Sequence, residues 1–179
     1  PEHTCDVEET MARGYEWLAK KQNSNGSWGG STTVVGETGL ALLAFYMHGY
    51  THTKDGPYKN TVKAGLDWLL KTVKAKGGDV WVRGYTQCIA VYAMAEALRT
   101  TKDSRISQPL KTALKVLLDN ATGAGSSNVT WRYSKGSDGD LSVHAWAAQA
   151  IMDCSYAEIP IKNSDINATY NGLMVYAQE

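Results

Sequence analysis

The sequence predicts an all-α fold made of repeated helical hairpins. The pattern Gly14-Tyr15-Glu16-Trp17-Leu18 returns as Gly65-Leu66-Asp67-Trp68-Leu69, which indicates an internal repeat. A second pattern lies after each copy of the first. Thr38-Gly39-Leu40 corresponds in it to Thr86-Gln87-Cys88. Segments with the first pattern are amphipathic, whereas segments with the second are apolar almost all round. One outer and one inner helix per repeat explain these observations.

The amphipathic segments predict four outer helices. They cover roughly residues 7–22, 60–74, 107–121 and 164–178. In the second of them Val62, Leu66 and Leu69 share one face, while Lys63 and Asp67 lie elsewhere. We expect these helices to be half-exposed.

The apolar segments predict three inner helices. They cover roughly residues 38–49, 86–100 and 141–154. The stretch 89–95 is rich in alanine and apolar on every side, so neighbouring helices can cover all of it. We expect residues 89–95 to be buried.

A loop with a tryptophan follows each of the first three outer helices. The tryptophans are Trp28, Trp81 and Trp131, and the loop regions 24–36 and 122–139 are too rich in Gly, Ser and Thr to be helical. No linker divides the chain. We therefore predict a single repeat domain over residues 1–179, with repeats at about 7–50, 60–101 and 107–155 and a partial repeat at 164–179.

Composition excludes several classes of protein. The 18 Lys and Arg balance the 18 Asp and Glu, without the basic excess of a nucleic-acid binder. The longest apolar run, residues 39–47, is too short to span a membrane. The three cysteines have no paired spacing, so we expect neither a disulfide framework nor a thiolate zinc site, and we predict no metal and no cofactor. The first residue, Pro1, is compatible with a processed secreted or periplasmic chain.

Residues 13–28 carry a long motif. They read Arg-Gly-Tyr-Glu-Trp-Leu-Ala-Lys-Lys-Gln-Asn-Ser-Asn-Gly-Ser-Trp, which resembles the Q-W repeat of the squalene-hopene cyclase and protein prenyltransferase β-subunit superfamily. Residues 38–45 and 139–143 resemble the inner-helix starts of uncharacterised bacterial squalene-cyclase-like repeat proteins. The resemblance implies an α/α toroid, with inner helices around a ring and outer helices around them. It also implies a half-ring here, because the chain supplies only about three to four hairpins.

A half-ring leaves the flanks of its end helices in water. Because burial of large apolar side chains is the main favourable term in folding, an open flank would be costly. We expect two copies to pair edge to edge and complete the ring, or the arc to curl shut with capping ends.

Parallel inner helices would all begin at the same end of the ring, which we call the mouth. Unpaired N–H groups and helix dipoles favour anionic or hydroxyl ligands there. We predict an apolar or carbohydrate small ligand at the mouth, bound by Trp28, Glu37, Trp81, Arg83, Tyr85, Trp131, Arg132 and Tyr133.

Two aspartates and a histidine are candidates for catalysis. Residues 138–142 resemble the Asp-x-Asp-Asp-Thr motif of squalene-hopene cyclases, which places Asp140 as proton donor, although Leu141 replaces the second aspartate of the pair. Asp140 would otherwise cap the inner helix. His144 follows Asp140 by one helical turn and would either pair with it or lie satisfied in the core. Asp138 completes the candidate set.

Two classes of function follow. The first is a non-catalytic module that binds a ligand or partner at the mouth, which the missing aspartate and the half-length ring favour. The second is an enzyme that protonates an isoprenoid through Asp140, or a polysaccharide lyase or hydrolase that uses Asp138, Asp140 and Glu37. We favour the first.

Overall fold

Seven α-helices follow one another in the computed structural model, which describes residues 7–30, 32–82, 84–135 and 139–176. Their bounds are α1 Val7–Lys20, α2 Val34–Met47, α3 Lys59–Ala75, α4 Tyr85–Thr101, α5 Ser104–Asp119, α6 Leu141–Tyr156 and α7 Asn163–Tyr176. Within these ranges the one β-type contact is an isolated bridge between Thr122 and Thr130 in the α5–α6 loop.

The helices form the two layers that the sequence predicts. Helix α4 packs between α2 and α6 in the inner layer, and α3, α5 and α7 each pack on the inner helix that precedes them. The fold is therefore an all-α, α/α half-ring. The central inner helix is the most enclosed element, since every residue from Thr86 to Leu98 is buried. The expectation that residues 89–95 are buried is confirmed.

Helix α2 begins at Val34, earlier than the sequence predicted. The glycine and threonine content of residues 24–36 hid its first turn. Gly36 lies in that turn, and a Cβ there would come within 3.3 Å of Thr86 on α4. The small residue thus allows α2 and α4 to approach closely, which compensates for its low helix propensity.

Two buried tryptophans hold their loops against the outer helices that precede them. The indole nitrogens of Trp28 and Trp131 donate hydrogen bonds to the carbonyl oxygens of Leu18 and Leu117, at 2.7 and 2.9 Å. Both acceptors lie near the end of an outer helix, where carbonyls lack helical partners. The Trp28 ring also packs on Gly65 of the next outer helix, where an added Cβ would come within 2.6 Å of it.

A glutamine also holds each of the first two loops. The Gln22 amide donates to the carbonyls of Gly26 and Thr61, at 2.8 and 2.9 Å. The second copy of the motif lacks this glutamine, and Gln87 of α4 performs the same task by donating to the carbonyls of Gly78 and Ala113. Gln87 is fully buried, so its amide satisfies backbone groups that water cannot reach.

Helix α1 is held mainly through Tyr15, its one buried residue. The Tyr15 ring lies 5.5 Å from that of Phe45 and 5.2 Å from that of Tyr50, and its hydroxyl donates to the Ala44 carbonyl at 3.2 Å. The outward sides of both end helices carry large apolar side chains in water. These are Val7, Met11 and Trp17 on α1, and Tyr170, Met174 and Val175 on α7.

Neither cysteine in the described ranges is bonded to another: Cys88 and Cys154 are free and buried, and Cys5 lies outside those ranges. No helix of the described chain is long and apolar enough to cross a membrane.

We predict that Gly65→Ala lowers the free energy of unfolding by about 1 to 3 kcal/mol, because the new methyl group would overlap the buried Trp28 ring. Gly14 occupies the equivalent position on α1, with no atom within 4 Å of an added Cβ. Gly14→Ala is the matched control, and it should raise the free energy of unfolding by about 0.5 to 1 kcal/mol through helix propensity. Urea denaturation measures both. Equal effects of the two substitutions would contradict the repeat packing described above.

Candidate functional site

The inner helices begin at the same end of the molecule. The Tyr85 hydroxyl at the start of α4 lies 2.7 Å from the Ser142 hydroxyl at the start of α6. The loops meet there too, since the Trp81 indole nitrogen donates to the Tyr133 carbonyl at 3.1 Å. Together with the contact of Gly36 and Thr86, these distances place the three helix starts side by side at the mouth.

Four polar side chains form a chain of hydrogen bonds across the mouth. The Ser142 hydroxyl donates to Asp140 Oδ1 at 2.5 Å and lies next to the Tyr85 hydroxyl, which is 3.4 Å from that of Tyr133. The hydrogen bond with Tyr85 raises the pKa of Tyr133 above its usual value. The network lies at the surface, so a ligand can reach it.

A cleft of about 350 Å³ opens beside this network, between α2 and α4. Its lining is mostly apolar and consists of Thr33, Gly36, Glu37, Leu40, Val82, Tyr85, Thr86, Ile89 and Tyr133. The volume is within the range of about 300 to 1,000 Å³ that is common for small-molecule sites. Of the eight predicted binding residues, Glu37, Tyr85 and Tyr133 line this cleft.

Two of the predicted binding tryptophans are not at the surface of the mouth. Trp28 and Trp131 are 4% and 1% exposed and serve the packing described above. Each loop folds back beneath its outer helix, which carries the indole into the core. Trp28 nevertheless lines, together with Glu37, a groove of about 660 Å³ between α1 and α2.

Trp81 and Arg132 lie at the edge of the mouth. The Lys135 ammonium lies 5.8 Å from the Trp81 ring centroid and 2.5 Å from Asp79, so this ring already has a cationic neighbour. Arg132 is exposed, and its charge contributes to the lowered pKa of Asp140. Arg83 lies outside the described residues.

Asp140 caps helix α6. Its carboxylate accepts hydrogen bonds from the Val143 amide at 3.1 Å and from the Ser142 hydroxyl, and the latter is the main cause of its lowered pKa. A proton donor must hold a proton at the working pH, and these contacts favour the ionised form instead. Asp138, the second candidate, lies outside the described residues.

His144 is fully buried and faces α7 rather than the Asp140 carboxylate. Its Nε2 donates to the Thr169 carbonyl at 3.0 Å, and the ring packs 5.3 Å from that of Trp131. Burial is the main cause of its lowered pKa, which favours the neutral ring. His144 thus lies in the core with one ring nitrogen bonded and Nδ1 buried without a hydrogen-bond partner.

His48 and His52 stand four residues apart, a spacing that would suit a metal site on a helix. In the structure the His52 ring lies between the Tyr46 hydroxyl and the Asp103 carboxylate, at 2.8 and 3.0 Å, whereas His48 packs on Tyr15. The described residues contain no group of three or more His, Cys, Asp or Glu side chains that could hold a metal.

Sequence reasoning missed a buried acidic pair at the far end of the inner helices. Glu96 and Asp153 are 4% and 5% exposed, and Arg99 binds both Glu96 oxygens at 2.7 and 2.6 Å while lying 3.9 Å from Asp153. Asp153 Oδ2 is buried without a hydrogen-bond partner. Burial, with the nearby Glu96 charge, raises the pKa of Asp153 to about 6. A lone aspartate inside an apolar helix was the available signal.

Comparison with known proteins gives one curated similarity. The chain is 34% identical to lanosterol synthase from Homo sapiens over 91 residues, which are 49% of this chain and 12% of that protein. The chain therefore spans only a small part of that relative. No protein-family model matches the chain, and no solved structure matches it. The partial similarity to a squalene-cyclase relative, with the all-helical fold, supports a terpenoid-cyclase-like module.

We predict that Asp153→Asn raises the free energy of unfolding at pH 7.5 by about 2 to 3 kcal/mol. At this pH the Asp153 carboxyl is ionised although its burial disfavours the charge, and the substitution removes that charge. The folded pKa lies above that of the unfolded chain, so the folded state keeps the proton between about pH 4 and 6. The advantage of the variant should therefore vanish as pH falls toward 4. Urea denaturation across this range measures it.

The control is Asp55→Asn, at a carboxylate with a 96% exposed side chain, where we expect a change below about 0.5 kcal/mol. An Asp153→Asn variant less stable than the parent at pH 7.5 would show that the charge of Asp153 stabilises the fold.

Proposed function

We propose that this chain is a terpenoid-cyclase-like α/α module that binds an apolar ligand bearing a hydroxyl group at the mouth, without catalysis. The observation that carries the proposal is the cleft of about 350 Å³ with apolar walls, bordered by the Tyr85, Ser142 and Asp140 network. An isoprenoid or triterpenoid alcohol has this combination of an apolar body and a single hydroxyl. The similarity to lanosterol synthase supports the same class of ligand.

Charge favours a neutral ligand over an anionic one. The carboxylates of Asp140 and Glu37 both lie at the mouth, and the nearby Lys135 ammonium is paired with Asp79. A diphosphate would meet the two carboxylates as well as the Arg132 guanidinium at the edge of the mouth, whereas a hydroxyl can donate to a carboxylate or accept from Tyr85. The sequence left both anionic and hydroxyl ligands open for the mouth. We favour the hydroxyl ligands for this reason.

The absence of catalysis rests on the chemistry of Asp140. An ionised helix cap is a poor source of the proton that an alkene must receive. Polysaccharide cleavage is supported less well than binding, because such sites present flat aromatic rings to the sugar and Trp28 and Trp131 are buried. Isoprenoid protonation and polysaccharide cleavage remain the alternative functions.

The remaining proposals come from the sequence. We place the chain among the squalene-cyclase-like repeat proteins of bacteria, as a single domain in a secreted or periplasmic location. We also propose that two copies pair edge to edge. Tyr170 and Met174, 62% and 42% exposed on α7, support the α7 flank as the contact. Light scattering should give twice the 19.5 kDa chain mass, and a monomer at all concentrations would contradict the pairing.

We predict that farnesol, a neutral isoprenoid alcohol, binds the protein and that Tyr85→Phe weakens this binding about threefold to tenfold, because one hydrogen bond at the mouth is lost. Farnesyl diphosphate should bind more weakly than farnesol to the unaltered protein. Isothermal titration calorimetry measures all three affinities. The matched control is Tyr156→Phe, at a 61% exposed tyrosine near the other end of α6, which should leave the affinity unchanged.

If the unaltered and Tyr85→Phe proteins bind farnesol with equal affinity, farnesol does not bind at the mouth. Tighter binding of the diphosphate would overturn the charge argument. Conversion of squalene or a polyprenyl diphosphate to a new product, abolished by Asp140→Asn, would favour the enzymatic alternative.

A further inference from the structure

A groove of about 460 Å³ lies between the outer helix α5 and the segment that leads into α7. Leu114 and Leu118 of α5 line one side of it, and Ile159 and Ile161 of the α6–α7 loop line the other. Its lining has no residue in common with the cleft at the mouth. The groove is therefore a separate cavity, and its volume is within the range that is common for small-molecule sites.

An ion pair bridges the preceding two outer helices but not this pair. The Arg105 guanidinium of α5 donates to the Asp67 carboxylate of α3 at 3.1 Å. The repeat aligns Asp67 with Lys115 on α5, and Lys115 pairs with Asp119 of its own helix instead. Among the described residues no ion pair joins α5 to α7. The charges that face this groove are thus left for another partner.

The charge of the groove is net positive. Lys111 and Lys162 are both exposed, and neither ammonium has a carboxylate partner in the described part of the chain. Asp119 is neutralised by Lys115, and Asp165 lies in the first turn of α7, where the helix dipole favours its charge. Three lysines thus face two aspartates, which leaves one excess positive charge.

A smaller cavity of about 90 Å³ adjoins the groove. Leu118 and Ala124 line both cavities, and the smaller one extends to Ala121 and the buried Trp131. Its volume suits the end of a slender chain rather than a ring system. Together the two cavities offer apolar walls that lead away from a basic rim.

We propose that the α5/α7 groove binds the anion of a medium-chain fatty acid. The carboxylate pairs with the Lys111 and Lys162 ammonium groups, and the alkyl chain lies along Leu114, Leu118 and Ile161. A head group with one negative charge matches the single excess positive charge of the lining. The groove and the mouth have separate linings, so this proposal does not depend on the ligand at the mouth.

The first test is isothermal titration calorimetry of the full chain with decanoate at pH 7.5. We expect saturable binding below about 1 mM. Octanoate should bind about tenfold more weakly, because each CH₂ group that is buried contributes about threefold to fourfold in affinity. Decanol, which lacks the charge, should bind at least about threefold more weakly than decanoate. Saturating farnesol should leave the affinity for decanoate unchanged.

The lysines are tested by the double variant Lys111→Gln/Lys162→Gln. We expect it to bind decanoate about fivefold to twentyfold more weakly, because two charge pairs at the surface are lost. The matched control is Lys71→Gln/Lys74→Gln, at two exposed lysines of α3 that also lack a carboxylate partner among the described residues. The control removes the same charge from the chain and should bind decanoate as the parent does.

The cavity is tested by Ala124→Leu, which fills space that the groove shares with the smaller cavity. Ala124 is exposed, so the larger side chain should not disturb folding, which urea denaturation verifies. We expect at least about a tenfold loss of affinity for decanoate, because the space for several CH₂ groups is lost. Ala75→Leu, at an exposed alanine near the end of α3, is the matched control and should have no effect.

Four results would overturn the proposal. The first is no saturable binding of decanoate up to about 1 mM. The second is equal affinity of the two lysine double variants, which would show that only the total charge of the chain matters. The third is equal affinity for decanol and decanoate. The fourth is displacement of decanoate by farnesol, which would place both molecules at one site.

Discussion

The first two repeats of this half-ring depend on the contact between the Trp28 indole and Gly65 of the next outer helix. Trp28 joins the end of α1 to the middle of α3 through one hydrogen bond and one close ring contact. With Gly65 present, the loop before α2 can fold beneath the outer layer, and α2 can then lie between α3 and α4. The position of α2 therefore depends on a small residue in the neighbouring repeat, because only Gly65 leaves room for the Trp28 ring.

The same contact determines which aromatic residues remain for a ligand. Two of the three loop tryptophans are buried in packing contacts, so the mouth presents tyrosines, a serine and an aspartate, with Trp81 at its edge. Aromatic side chains thus have two roles, packing within the fold and contact with a ligand, and composition alone does not distinguish them. Tyr85 and Tyr133 carry hydroxyl groups at the surface, whereas Trp28 and Trp131 carry indole nitrogens that are already bonded to helix carbonyls.

Much of the fold could be predicted from the sequence, because apolar periodicity reports directly on which side of a helix is covered. The order of outer and inner helices, the burial of residues 89–95 and the resulting α/α half-ring follow from that pattern. Two features did not follow. The first turn of α2 contains Gly36 and follows a glycine-rich loop, and only its close approach to Thr86 on a neighbouring helix explains that glycine. The pairing of Glu96 with Asp153 depends on the relative rotation of α4 and α6, which no local pattern encodes.

The weak attachment of α1 affects how the molecule opens. Tyr15 is the one buried residue of this helix, and Leu18 adds a partly buried side chain and the carbonyl that Trp28 binds, while α4 is enclosed along most of its length. In a stack of repeats each repeat is stabilised mainly by contacts with its nearest neighbours. An end helix can therefore detach without unfolding the central helices. We expect amide protons of α1 to exchange with solvent through local detachment, at rates that report on the aromatic cluster around Tyr15 rather than on global unfolding.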